Sequence, residues 1–185
     1  MRVTAGRAKG TRLRGAGRGA VRPTSALVRE ALFNALAPRL PDARVLDLFA
    51  GTGALGIEAL SRGAAHAVFV EKDPRQAAMI RENLAAAHLS GKAAVRRGNA
   101  LSEISALAEA GRRFDLILLD PPYGHGLQEK ALRLIASSGL LAPSGVVVAE
   151  GHWRDDPGDV SGLRRARDAR YGETGVWFYE WGTRA

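Results

Sequence analysis

Short apolar runs alternate with helix-like patterns along most of the chain. Runs bounded by glycine, proline or polar residues predict buried strands at 45–49, 67–71, 93–97, 114–119 and 146–149. Apolar positions three and four residues apart predict helices at 28–36, 74–87, 101–107 and 131–135, with a further helix that ends at residue 60. This alternation is typical of parallel strands joined by right-handed crossovers.

The last part of the chain follows a different pattern. Residues 164–171 and 176–181 predict two antiparallel strands joined through 172–175. With the preceding elements, they predict an α/β fold with helices on both faces of the sheet. The sheet is expected to be seven-stranded and mostly parallel, with an antiparallel C-terminal edge hairpin.

The first residues predict a separate small element. Residues 2–13 read as two short extended runs around glycines, a short N-terminal β-hairpin, and Gly15, Gly17 and Gly19 then predict a mobile loop. Thr24 or Ser25 can cap the first helix. We therefore expect a basic extension at 1–22 and one main domain at 23–185.

The positive charge of the protein is concentrated in this extension. The chain has 27 Lys and Arg against 19 Asp and Glu, a net charge of +8. Eight basic residues precede the first acidic one, Glu30, so the remainder of the chain is neutral. They are Arg2, Arg7, Lys9, Arg12, Arg14, Arg18, Arg22 and Arg29. A localised basic segment predicts a polyanionic partner such as nucleic acid, although a floppy arm or a transit peptide would have similar composition. The first seven are the candidate nucleic-acid contacts.

Composition also excludes several kinds of site. With no cysteine, the chain has no disulfide, no Cys-ligated metal centre and no cysteine nucleophile. The four histidines have no metal-binding spacing, so no metal site is expected. No window reaches the ~18 consecutive apolar residues typical of a membrane span, and the N-terminus lacks the apolar core of a secretory signal.

A glycine-rich turn predicts a nucleotide-type site. Gly51, Gly53 and Gly56 follow a predicted strand and open a helix, where backbone amides can approach a ligand. Glu71 ends the next strand and could accept hydrogen bonds from both ribose hydroxyls. The pattern indicates a cofactor that contains adenosine, and by itself it also fits NAD or FAD.

Two polar residues, together with the motif that begins at Asp120 after the fourth predicted strand, favour an adenosine cofactor other than NAD or FAD. Asp47 lies inside a predicted strand, at a position where dinucleotide-binding folds usually have an apolar residue. Its carboxylate could accept a hydrogen bond from an amino group or an ordered water. Asn99 follows the third strand, where its amide could contact adenine. The candidate cofactor-binding residues are Asp47, Phe49, Gly51, Thr52, Gly53, Glu71, Lys72, Asn99, Ala100 and Asp120.

The most specific motif is Asp120, Pro121, Pro122 and Tyr123, directly after the fourth predicted strand. Consecutive prolines restrict the backbone, so they can present a carbonyl and the Asp120 side chain in a defined direction. Two convergent acceptors suit an exocyclic NH2 group, and Tyr123 could stack on the base that carries it. These four residues are the candidate catalytic residues.

These motifs resemble class I S-adenosylmethionine-dependent methyltransferases. The set formed by the N-terminal residues 2–13, 22–24 and 29–34, with 53–63 and 171–172, is similar to the bacterial 16S ribosomal RNA guanine-N2 methyltransferase family (RsmD type). The resemblance covers nearly the whole chain. The arginine- and glycine-rich stretch 15–19 departs from the family pattern.

The resemblance implies a Rossmann-like class I methyltransferase fold and S-adenosylmethionine as cofactor. The expected activity is methylation of the N2 amine of one guanine in 16S rRNA. The expected partner is 16S rRNA, within the small ribosomal subunit or an assembly intermediate, and we expect a cytoplasmic, monomeric enzyme with no membrane or metal partner. The first seven basic residues would then bind RNA.

Other activities share parts of this pattern. DNA adenine-N6 methylases usually carry an added recognition domain, for which we expect no room. Protein glutamine methylases typically have Asn where this chain has Asp120. An NAD-dependent oxidoreductase would need a second substrate-binding region, and a non-catalytic RNA-binding module would not need Asp120 beside a cofactor turn.

Overall fold

A mixed seven-stranded sheet forms the centre of the protein in the computed structural model, which describes residues 1–15, 25–122 and 124–182. Its strands are β1 (Arg44–Leu48), β2 (His66–Glu71), β3 (Ala93–Arg97), β4 (Phe114–Leu119), β5 (Leu141–His152), β6 (Leu163–Tyr171) and β7 (Thr174–Trp181). The strand order is β3-β2-β1-β4-β5-β7-β6. The first five strands are parallel, and β7 pairs antiparallel with both β5 and β6. The predicted fold class is confirmed.

Within the described residues, five α-helices cover the two faces of the sheet: α1 (Ala26–Leu36), α2 (Ala54–Ser61), α3 (Pro74–Ala86), α4 (Ala100–Glu109) and α5 (Leu127–Ser138). The Ser25 side chain caps α1 by accepting a hydrogen bond from Val28 N. The Asp73 side chain caps α3 by accepting hydrogen bonds from Arg75 N and Gln76 N. Apolar residues of α1, α2 and α3 form one core with the sheet, and those of α4 and α5 form a second core on the other face.

Strand pairing extends two elements beyond their apolar patterns. β5 begins at Leu141, where Leu141 pairs with Phe114 ahead of a register shift, and it continues to His152 because its end pairs with β7. The β6–β7 turn is shorter than expected: Thr174 already pairs with Tyr171, so two residues remain in the turn. A two-residue hairpin matches the twist of antiparallel strands.

Residues 1–15 are packed against the domain. The hairpin is reduced to one bridge between Arg2 and Arg12, but Val3, Ala8 and Leu13 are buried. A floppy arm is therefore the wrong description of this part of the extension. The loop glycines 17 and 19, Thr24, Arg18, Arg22 and Tyr123 lie outside the described residues, as does the expected boundary at residue 22.

Candidate active site

The turn after β1 has a backbone that suits glycine. Gly51 and Gly53 have φ values of 57° and 80°, in the left-handed region that glycine adopts most easily. Phe49 also has a positive φ, 60°, which is uncommon for a bulky residue and is found most often at functional sites. A Cβ on Gly53 would lie 3.1 Å from the Ile80 side chain. The turn is therefore held close to α3.

The third glycine of the motif has a packing role. A Cβ on Gly56 would lie 2.3 Å from the Phe69 ring, so glycine at this position allows α2 to pack closely against β2. The Gly56 N–H donates to Asp47 Oδ2 at 2.9 Å. The N-terminal part of α2 is thus hydrogen-bonded to β1.

Asp47 is a buried carboxylate, 1% exposed, on the face of the sheet that α1–α3 cover. Its pKa is raised to about 7: burial is the largest cause, the Gly56 hydrogen bond lowers the pKa, and the nearby carboxylates of Asp120 and Glu71 raise it. Three acidic side chains therefore interact at the carboxyl edge of the parallel strands. A cationic ligand at this edge would reduce their mutual repulsion.

We expect Asp47 to make the unliganded protein less stable as pH rises. Its folded-state pKa is about 7 against an ordinary 3.8, so the folded protein keeps a proton that the unfolded chain has released between these values. The free energy of unfolding should therefore fall by up to about 1.4 kcal/mol per pH unit across this window and level off above pH 7. Urea unfolding at successive pH values should show the decline in the unaltered protein but not in Asp47→Asn. An equal slope in both proteins would contradict this assignment.

Glu71 is held by two backbone groups at the same edge. Its Oε2 accepts from Gly51 N at 2.8 Å and its Oε1 from Asp73 N at 2.9 Å. The side chain is 7% exposed. Because each carboxylate oxygen has a second lone pair, these hydrogen bonds orient the group and leave each oxygen able to accept a further hydrogen bond.

The remaining cofactor candidates have different environments. Asn99 caps α4, and its Oδ1 accepts from Leu101 N at 2.9 Å and Ser102 N at 3.3 Å. The amide Nδ2 is therefore the atom of Asn99 that could donate to adenine. Ala100 is buried at the start of α4, and Lys72, after β2, is exposed.

The Asp120 motif directly follows β4. Asp120 is half-buried and close enough to Asp47 for its charge to raise the pKa of that group. Pro121 and Pro122 line a cavity of about 270 Å³. The structure therefore brings Asp120, Asp47 and Glu71 to one edge, with a cavity beside Asp120.

The same cavity includes residues that are not among the predicted site residues. Its wall includes His125, Gln128 and the 155–157 loop between β5 and β6. Gln128 is buried and donates to the backbone carbonyl of Glu150. The 155–157 loop is distant in sequence from His125 and Gln128, and no spacing along the chain indicates that it meets them.

The basic N-terminal residues differ in what they contact. Arg7, Lys9 and Arg12 are exposed. Arg2 is also exposed and donates to the Gly10 carbonyl, at 2.7 Å. The remaining described residues of the group are Arg14, which forms an ion pair with Glu82, and Arg29, which is 2% exposed.

Neither a membrane-spanning helix nor a group of metal-binding side chains was found among residues 1–15, 25–122 and 124–182.

We compared the chain with family models, with related proteins and with solved structures. The family model described as "Conserved hypothetical protein 95" matches residues 1–180. A Bacillus subtilis protein, "Putative rRNA methyltransferase YlbH", is 40% identical over 182 residues, covering 97% of this chain and 98% of that protein. "Ribosomal RNA small subunit methyltransferase D" of Escherichia coli K12 is 40% identical over 150 residues, covering 81% and 74% of the two chains.

A solved structure has the same fold over the full length. The structure titled "Putative methyltransferase yhhF from Escherichia coli" superposes with a TM-score of 0.86 at 31% identity, covering 100% of this chain and 99% of that one. Sheet order, hairpin edge and family match therefore lead to one conclusion. The chain belongs to the family described as Conserved hypothetical protein 95 and has the fold of class I methyltransferases.

Proposed function

We propose that this protein transfers a methyl group from S-adenosylmethionine to the N2 amine of a guanine in 16S rRNA. The observation that carries the proposal is the placement of Asp120, followed by two prolines, at the same sheet edge as Asp47 and Glu71. The names of the relatives support ribosomal RNA as substrate. The main domain at 23–185 would contain this site.

The carboxyl edge of the sheet fits such a cofactor. Its turn has backbone positions at Gly51 and Gly53 that favour glycine, and its carboxylates suit a ligand with positive charge and ribose hydroxyls. Asp47 and the 51–53 turn would hold the charged part, Glu71 the ribose, and Asn99 the adenine. Phe49, Lys72 and Ala100 would complete the surroundings. When bound, S-adenosylmethionine supplies the methyl group.

Asp120 would act on the amine that receives the methyl group. Its carboxylate and a backbone carbonyl of the proline turn can accept the two N–H groups, which orients the nitrogen lone pair towards the cofactor. The negative charge of Asp120 also stabilises the positive charge that develops on nitrogen. Tyr123 would stack on the guanine, and Pro121 and Pro122 would maintain the turn.

The N-terminal extension would bind the RNA around the target. Exposed Arg7, Lys9 and Arg12 are carried on the docked hairpin, and Arg18 and Arg22 follow in sequence. Arg2 and Arg14 would add charge at its two ends. We propose a cytoplasmic monomer that acts on 16S rRNA in the small subunit or an assembly intermediate.

Label transfer tests the proposed reaction. Radiolabelled S-adenosylmethionine is supplied with 16S rRNA, assembled small subunits, DNA and protein extract, and the labelled product is hydrolysed and identified. N2-methylguanine from the rRNA samples is expected. Label in N6-methyladenine or methylglutamine, the products of the alternative amine methylases, would overturn the proposal.

Neutralising the hairpin should weaken RNA binding through loss of phosphate contacts. In the triple variant Arg7→Gln, Lys9→Gln and Arg12→Gln, the slope of log affinity against log salt should become shallower by about 2. Each phosphate contact that is lost in single-stranded RNA contributes ~0.7 to this slope. Cofactor affinity should stay the same. Filter binding at several salt concentrations measures the slope. A control triple variant, in which exposed Arg112, Arg113 and Arg133 are replaced with equal loss of charge, should keep the salt slope of the unaltered protein. Equal salt slopes in the two triple variants would exclude the hairpin as the RNA contact.

A further inference from the structure

One buried side chain connects the N-terminal extension to the glycine-rich turn. Asn83 of α3 is 1% exposed. Its Oδ1 accepts from Arg14 N at 2.7 Å, and its Nδ2 donates to Arg14 O at 3.0 Å and to Thr52 O at 2.9 Å. Asn83 thus pairs with both backbone groups of residue 14, much as a neighbouring strand would, and with the backbone of the turn.

The two segments joined by Asn83 have different proposed ligands. Thr52 lies between Gly51 and Gly53, in the turn proposed to hold the cofactor. Arg14 ends the docked hairpin and directly precedes the stretch that contains Arg18 and Arg22. The end of the docked hairpin, which carries the exposed Arg7, Lys9 and Arg12, is therefore two hydrogen bonds away from the cofactor turn.

Docking of the hairpin does not by itself require this connection. Other contacts hold the hairpin on α2: Thr4 and Ala5 bind Glu58, and Ala8 N donates to Ser61 Oγ at 2.9 Å. None of these contacts includes the glycine-rich turn. The hydrogen bond from Asn83 to Thr52 is therefore additional to hairpin docking.

We propose that Asn83 is a positioning residue that couples RNA binding to cofactor binding, an inference that rests on the function proposed above. A turn with positive φ at residues 49, 51 and 53 must be held in that conformation for a ligand to pack closely against its backbone. RNA that orders residue 14 would also order Thr52 through Asn83. The ligand that binds second then causes a smaller loss of conformational entropy, so each ligand raises the affinity for the other by the same factor.

The coupling can be measured without turnover. S-adenosylhomocysteine, which carries no transferable methyl group, is titrated with and without an unmodified 16S rRNA transcript. RNA should tighten its binding by about fivefold or more, the lower range of typical couplings, and the RNA affinity should rise by the same factor. In Asn83→Asp, which keeps the acceptor for Arg14 N but loses both donated hydrogen bonds, the factor should fall to about one.

A neighbouring residue provides the matched control. Glu82 pairs with the side chain of Arg14, and within the described part of the chain it makes no hydrogen bond or ion pair with the turn, so Glu82→Gln should keep the coupling factor. In the unaltered protein, RNA alone should also slow hydrogen exchange of the Gly51 and Gly53 amides, which tests the coupling even if Asn83→Asp folds poorly. A factor of one together with unchanged exchange would overturn this inference alone. Failure of both the transcript and assembled small subunits to bind would overturn it together with the proposed function.

Discussion

Asp120→Ala is expected to lower the kcat of methyl transfer by at least about 100-fold, and the variant should still bind S-adenosylhomocysteine. The substitution removes an acceptor for the amine and the negative charge that would stabilise the transition state, and such groups typically contribute 10²–10³-fold. The turn at 51–53 and Glu71 are not altered, so the affinity for S-adenosylhomocysteine should change little. Single-turnover rates and equilibrium titration separate the two effects.

Two further variants make this result specific. Asp120→Asn keeps the size and one acceptor but removes the charge, so it should have intermediate activity and also lower the pKa of Asp47, which the charge of Asp120 raises. Asp115 lies at the other end of β4, where its ion pair with Arg44 lowers its pKa. Asp115→Asn should therefore keep normal turnover. A normal rate in Asp120→Ala would exclude the catalytic role.

Glu58→Ala is expected to produce the largest loss of stability, about 3–5 kcal/mol in the free energy of unfolding. Glu58 is 1% exposed on α2. Its carboxylate accepts from Thr4 N at 2.9 Å, Ala5 N at 3.1 Å and Arg62 Nε at 2.9 Å, and Arg29 Nε lies 3.6 Å from it. Alanine would leave the Thr4, Ala5 and Arg62 donors without their shared acceptor, and the buried Arg29 guanidinium without the negative charge beside it.

The loss should be accompanied by release of the hairpin. Urea denaturation measures the stability, and hydrogen exchange of residues 1–14 should become faster than in the unaltered protein. Glu129→Ala is the matched control, because Glu129 forms an exposed pair with Arg133 one helical turn away and should cost no more than about 0.5 kcal/mol. Similar small losses in the two variants would show that the buried network does not hold the hairpin.

Much of the fold could be predicted from local pattern. β3 and β4 have the predicted bounds, and α3 begins where the capping residue Asp73 and the following proline indicate. The ends of β5 and β7 could not be predicted in this way. Polar residues there are in strands because neighbouring strands pair with them, and that pairing depends on chain segments distant in sequence.

Candidate polar residues were easier to find than their hydrogen bonds. Glu71 ends an apolar run, Asp120 follows one, and Asp47 lies inside one near its carboxyl end. Parallel strands bring such positions to one edge. The sequence did not show that Asn99 uses its oxygen as a helix cap, or that Asn83 and Glu58 bind the extension. On the chain, the last two are ordinary polar residues of amphipathic helices.

The eight basic residues before Glu30 illustrate the same division. Composition and order along the chain are sufficient to predict a basic extension, because charge is a property of each residue alone. Which charges remain available depends on burial and pairing: Arg29 is enclosed beside Glu58 and Arg14 pairs with Glu82, whereas Arg7, Lys9 and Arg12 are exposed. Those contacts join segments 29 and 68 residues apart, and the free energy of bringing them together comes from the packed core as a whole.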